Sequence, residues 1–108
     1  MQTLADYADI PFFKKLANKV GLVHRLNDNG FTGYVSISRK LLLETIIQYC
    51  TVSSLKYKVI SQDHATLNGG FIIDTLILKD FDGDSTLYVS IVTDDLGNVS
   101  CTITESED

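Results

Sequence analysis

Apolar residues Ile10, Phe13, Leu16, Ala17 and Val20 recur at the spacing of one helical face, which predicts an amphipathic helix over Ile10–Val20. Asp9 is the expected cap. Pro11 falls in the first turn, where its missing N–H costs nothing, and Gly21 is a natural stop. An extra turn over Thr3–Ala8 would pack Leu4 and Tyr7 inward. Next, Leu22–Leu26 and Phe31–Ile37 flank the turn-forming cluster Asn27-Asp28-Asn29-Gly30. They read either as the arms of a β-hairpin or as an irregular loop followed by one strand. Ser38 then caps a second helix over Arg39–Cys50, where Leu42, Leu43, Ile46, Ile47, Tyr49 and Cys50 cover more than a narrow stripe and predict extensive burial.

From Leu55 the period changes to two. Leu55, Tyr57 and Val59 alternate with Lys56 and Lys58 over a strand Leu55–Asp63. Asn68-Gly69-Gly70, the two-residue hairpin signal Asp82-Gly83, and Asp94–Asn98 separate this strand from Phe71–Lys79, Thr86–Thr93 and Val99–Thr104. The expected fold is α+β in a single compact domain, 1–108: an N-terminal helix, a candidate β-hairpin, a second helix, then a four-stranded antiparallel β-meander.

In a meander, successive turns lie at opposite ends of the sheet. The last strand therefore returns toward the Asp82-Gly83 turn, bringing Glu105, Glu107 and Asp108 near Asp80, Asp82 and Asp84. This acidic pole reads as a docking surface for a basic partner or a weak cation site. The plainer alternative is a solvated hairpin tip. Alternation also sets Val89 and Ile91 against Tyr88 and Val92, so helices on one face leave apolar residues on the other. Such a face wants the second helix, a homodimer partner, or a curved sheet enclosing a small-molecule pocket. Tyr88 is the candidate anchor if that face is open.

Charge changes the picture more than composition does. A chain of 108 residues with 44% hydrophobic and 21% charged residues is an ordinary globular domain. Its net charge of −5 argues against coating nucleic acid or anionic membrane. Through Lys58 there are eight basic residues and four acids; beyond it one lysine faces ten acids. No apolar run is long enough to span a bilayer, and the acids of Met1–Asp9 do not resemble a signal peptide, so the expected location is cytoplasmic. In that reducing setting Cys50 and Cys101 are expected as buried free thiols.

The inventory for catalysis is thin. Asp80-Phe81-Asp82-Gly83-Asp84-Ser85 opens like a calcium loop, with acids at its first, third and fifth positions. The sixth is Ser85 instead of glycine, the twelfth is Ile91 instead of glutamate, and no helix flanks it. His24 and His64 are the only histidines, and no zinc spacing or phosphate loop occurs. No catalytic residue, metal or cofactor is therefore assigned. Asp74 is the oddest residue, a carboxylate inside the most apolar strand, and a candidate pocket residue with a perturbed pKa.

These features favour a small acidic protein-binding module, an inhibitor, immunity or regulatory protein that masks a basic surface on its target. Asp80, Asp82, Asp84, Glu105 and Glu107 would steer encounter, and Tyr88 would anchor. The rival readings are a ligand-binding or enzymatic pocket around Asp74, and a nucleic-acid-associated regulator using Lys14, Lys15, Lys19, Arg25, Arg39 and Lys40.

Overall fold

The first helix, α1 (Phe12–Val20), buries Phe13, Leu16, Ala17 and Val20, the stripe that the sequence spacing predicts. The computed structural model describes residues 11–107, without the side chain of Glu107. Asp9, Ile10, the turn over Thr3–Ala8 and Asp108 lie outside the described residues. Pro11 occupies the cap position of α1 instead of the first turn. Gly21 ends the helix with φ 86°, a left-handed conformation that costs glycine nothing. There Leu22 N–H donates to the Ala17 carbonyl at 2.8 Å and Gly21 N–H to the Asn18 carbonyl at 3.2 Å, and Leu22 packs back into the core.

The hairpin exists. It comprises β1 (His24–Asn27) and β2 (Gly30–Val35), and its turn is held by Asn29 N–H on Asn27 Oδ1 at 2.8 Å. The second helix keeps α geometry only to Ile47 but stays helical past the expected end at Cys50. As α2 (Arg39–Ile47) it starts at Ser38, whose hydroxyl accepts from Leu41 N–H, and it runs into a π-helical turn over Gln48–Ser53. Thr51 and Ser54 hydroxyls donate to the carbonyls of Ile47 and Cys50, competing with the backbone ladder where the winding widens. Of the residues expected to be buried, Leu42, Leu43, Ile46 and Cys50 are buried and Ile47 and Tyr49 half-buried, while Leu41 on the same helix is exposed.

Four strands follow as a meander: β3 (Tyr57–Thr66), β4 (Ile72–Asp80), β5 (Ser85–Thr93) and β6 (Val99–Glu107). Among the described residues the sheet nevertheless has six strands, not four, in the order β1-β2-β6-β5-β4-β3, with every neighbouring pair antiparallel. The hairpin joins because β2 pairs with β6 from Gly30–Thr104 to Val35–Val99, seating Phe31 opposite Ile103.

Both helices pack on one face. They cover Leu76 and Leu78 of β4, Leu87, Val89 and Ile91 of β5, and Val99, Cys101 and Ile103 of β6. Cys50 and Cys101 are free thiols in this core, and burial pushes each up to about 12. Neither is expected to react with a thiol reagent near neutral pH until the chain unfolds; labelling across a urea series should follow the loss of far-UV circular dichroism. Fast labelling of folded protein would contradict this packing.

Candidate functional site

The β4–β5 connection builds one pole of the molecule from residues of opposite preference. Asp80 turns inward, where its carboxylate accepts from Lys56 Nζ at 3.0 Å and from Asp82 N–H at 2.8 Å. Burial raises its pKa, but the Asp82 N–H and the Lys56 ammonium outweigh burial and hold the carboxyl below its ordinary value. Because Asp80 is used this way, the loop is four residues, Phe81–Asp84, instead of the two that Asp82-Gly83 suggests. Gly83 makes the reversal at φ 80°, donating its N–H to the Asp80 carbonyl at 2.9 Å.

The loop holds an aromatic ring in water. Phe81 N–H donates to the Lys56 carbonyl at 3.0 Å, which fixes the backbone, yet its side chain is 60% exposed on the loop that also exposes Asp82 and Asp84. Next to Lys56 stands Leu55, 73% exposed, and it is the one non-glycine with positive φ (54°) among the described residues. A leucine in this region costs about 1–2 kcal/mol relative to its right-handed conformation. Strain and exposed apolar surface therefore coincide at one place.

β6 reaches the same pole, with Leu87 opposite Glu105 and Ser85 opposite Glu107. A cleft of about 490 Å³ opens there, lined in part by Phe12, Lys56, Tyr57, Asp84 and Glu105. Tyr57 OH lies 2.8 Å from Ser85 Oγ and 3.5 Å from Glu105 Oε2. Of the expected acids, Asp82 and Asp84 stand exposed at the tip, Glu105 lines the cleft, and Asp80 is spent on Lys56. Sequence reasoning missed Phe81 and Leu55. The available signal was an aromatic residue between two aspartates in a turn, where polar residues are the rule.

Asp74 has a different environment. His64 faces it across the β3–β4 register, and Arg39 reaches it from the first turn of α2. Its side chain is only 5% exposed. Arg39 Nε donates to Oδ2 and Nη2 to Oδ1 at 3.1 Å, while His64 Nδ1 lies 2.9 Å from Oδ1. Burial raises the Asp74 pKa, but hydrogen bonds and charge from Arg39 and His64 more than offset this and leave it lowered. Above this carboxylate opens a cleft of about 470 Å³, whose lining includes Arg39, Lys40, Leu43, Ile47, Gln62 and His64.

The sheet face away from the helices carries Ile73 and Ile77 on β4 and Tyr88 and Val92 on β5, with Tyr88 45% exposed. Thr75, Ser90, Thr102 and Thr104 continue that face in hydroxyls. α2 does not cover it, since both helices sit opposite. Several basic side chains are engaged on separate elements: Arg39 with Asp74, Arg25 with Asp28, and Lys19 over the Tyr49 ring.

Comparison with protein-family models, with curated proteins and with solved structures yields no match. Fold and chemistry therefore carry the functional reading. Among the described residues no cluster of three or more His, Cys, Asp and Glu side chains is arranged to hold a metal ion, and no helix is long and apolar enough to cross a membrane.

Proposed function

We propose that this protein is a small binding module, an inhibitor, immunity or regulatory protein, which docks on a basic surface of a target protein through its β4–β5 pole. The observation that carries this reading is Phe81, exposed on a loop that also exposes Asp82 and Asp84, beside the strained, exposed Leu55. An exposed aromatic ring on a loop that carries exposed acids suits a protein-binding hot spot: the ring enters an apolar pocket, and the carboxylates meet the basic rim. Asp82 and Asp84 steer encounter, Glu105 contributes from the adjoining cleft, and Asp80 acts indirectly by shaping the loop. Steric occlusion of the target is the mechanism. The test is a pull-down from native host lysate at low and high salt with wild type, the Asp82→Asn/Asp84→Asn double variant and Phe81→Ser. The expected result is one protein whose capture falls about tenfold or more in each variant, with the aspartate effect shrinking as salt rises. Equal capture by wild type and both variants excludes docking at this pole.

A homodimer through the open sheet face is a separate proposal, favoured by the row Ile73, Ile77, Tyr88 and Val92 left uncovered by both helices. Sedimentation velocity at about 100 μM should then show a dimer that Tyr88→Glu converts to monomer, since a half-open antiparallel face is otherwise stable in water. Wild type that stays monomeric rules it out.

A further inference from the structure

The cleft above Asp74 lies apart from the hairpin pole and has chemistry of its own. The Asp74 carboxylate already accepts from Arg39 Nε and Nη2 and contacts His64 Nδ1, so it has little capacity left for a ligand. Its effect is to orient two other side chains. His64 Nδ1 faces both Asp74 Oδ1 and Arg39 Nη2, each at 2.9 Å, which turns Nε2 away from Asp74. Nε2 donates to an oxyanion in the forms that carry a proton there, the Nε2–H tautomer with Nδ1 accepting from Arg39 and the imidazolium. Arg39 likewise keeps the N–H groups of Nη1. Neither side chain is sealed in: Arg39 is 29% and His64 49% exposed.

The surroundings add donors and an apolar wall. Lys40 follows Arg39 in the first turn of α2, the Gln62 amide precedes His64 by two residues on the same face of β3, and Leu43 and Ile47 line the helix side. Two acids also contribute to the lining. Asp63 alternates with His64 along β3, and its carboxylate accepts from Ser61 Oγ at 3.1 Å on the other face of that strand. Glu44 stands exposed on α2, one turn beyond Lys40.

We propose that this cleft binds the oxyanion of a small organic acid, a carboxylate or phosphate monoester, between Arg39, His64 and Lys40. The apolar body of the ligand lies against Leu43 and Ile47. An arginine held in place by a buried carboxylate presents its outer N–H groups already oriented, which lowers the entropy lost on gripping an oxyanion. The cleft, about 470 Å³, matches the size of a small-molecule site.

The test titrates isotope-labelled full-length protein with phenyl phosphate, benzoate and neutral benzyl alcohol, following the Arg39 Nε–Hε and His64 ring signals by NMR. Saturable shifts with a Kd of about 1 mM or tighter are expected for at least one acid and not for the alcohol. His64→Gln and Lys40→Gln, which leave the Arg39–Asp74 pair intact, should each weaken binding about tenfold. A response to phenyl phosphate alone assigns a phosphate ligand; a tighter response to benzoate assigns a carboxylate. No saturable shift with either acid, an equal response to benzyl alcohol, or undiminished affinity in both variants overturns the proposal.

Discussion

Asp74→Ala is expected to lower the free energy of unfolding by about 3 kcal/mol at neutral pH, the range for removing one partner of a buried ion pair. The wild-type carboxylate is nearly sealed and takes hydrogen bonds from Arg39 along both oxygens. Alanine leaves the inner edge of that guanidinium without an acceptor, and leaves a void beside Leu76 and Ile91 where water is scarce. The loss is held near the lower end because Arg39 can swing part of its head into solvent. A pH signature distinguishes this from simple cavity formation. Pairing holds the folded carboxyl below its unfolded value, so its contribution is complete above the ordinary carboxylate range near about 4. It is lost as pH falls through the lowered folded value. Urea midpoints followed by circular dichroism should therefore decline on acidification in wild type and decline less steeply in Asp74→Ala. Asp80, also lowered, supplies the slope that remains. A loss under about 1 kcal/mol with an unchanged pH profile would mean that the pair is not formed.

Tyr57→Ala should cost about 3–5 kcal/mol, as for other large aromatic truncations in a core. Tyr57 is fully buried under the amino-terminal end of α1, its ring centroid 5.1 Å from that of Phe12. It also ties β3 to β5 through Ser85. Burial pushes its hydroxyl up to about 12, so it stays neutral and stabilises the core equally across the pH range of a denaturation series. Tyr57→Phe keeps the ring and strands the buried Ser85 hydroxyl, for which about 1–2 kcal/mol is expected. The difference between the two variants reports ring packing alone. Similar losses for both would place the weight on the hydrogen bond and contradict the packing described.

Local physics made much of the fold legible. The stripe Phe13, Leu16, Ala17 and Val20, the capping hydroxyl of Ser38 and the glycines that punctuate the meander each act within a few residues of chain. The docking of β2 on β6 was harder to read because Gly30 and Gly33 break the alternation that marks a strand. Its evidence, Phe31 against Ile103, spans most of the sequence. The same limit governs the sites. Asp80, Asp82 and Asp84 are alike in sequence, and only Lys56, distant along the chain, turns the first inward. Asp74 stands out as a charge among apolar neighbours, but Arg39 and His64 become its partners only when α2 crosses the β3–β4 edge. Phe81 passed for part of a turn because exposure is a property of the finished loop.

Docking through the β4–β5 pole is tested most directly by placing a photoreactive phenylalanine analogue at Phe81 and, separately, at Leu96, which is still more open to solvent, at 82%, at the opposite pole. Both proteins are irradiated in native host lysate. The expected result is one discrete cross-linked protein from position 81, absent from position 96, and lost when Asp82→Asn and Asp84→Asn are added. The same adduct from both positions, or none from position 81, would contradict it.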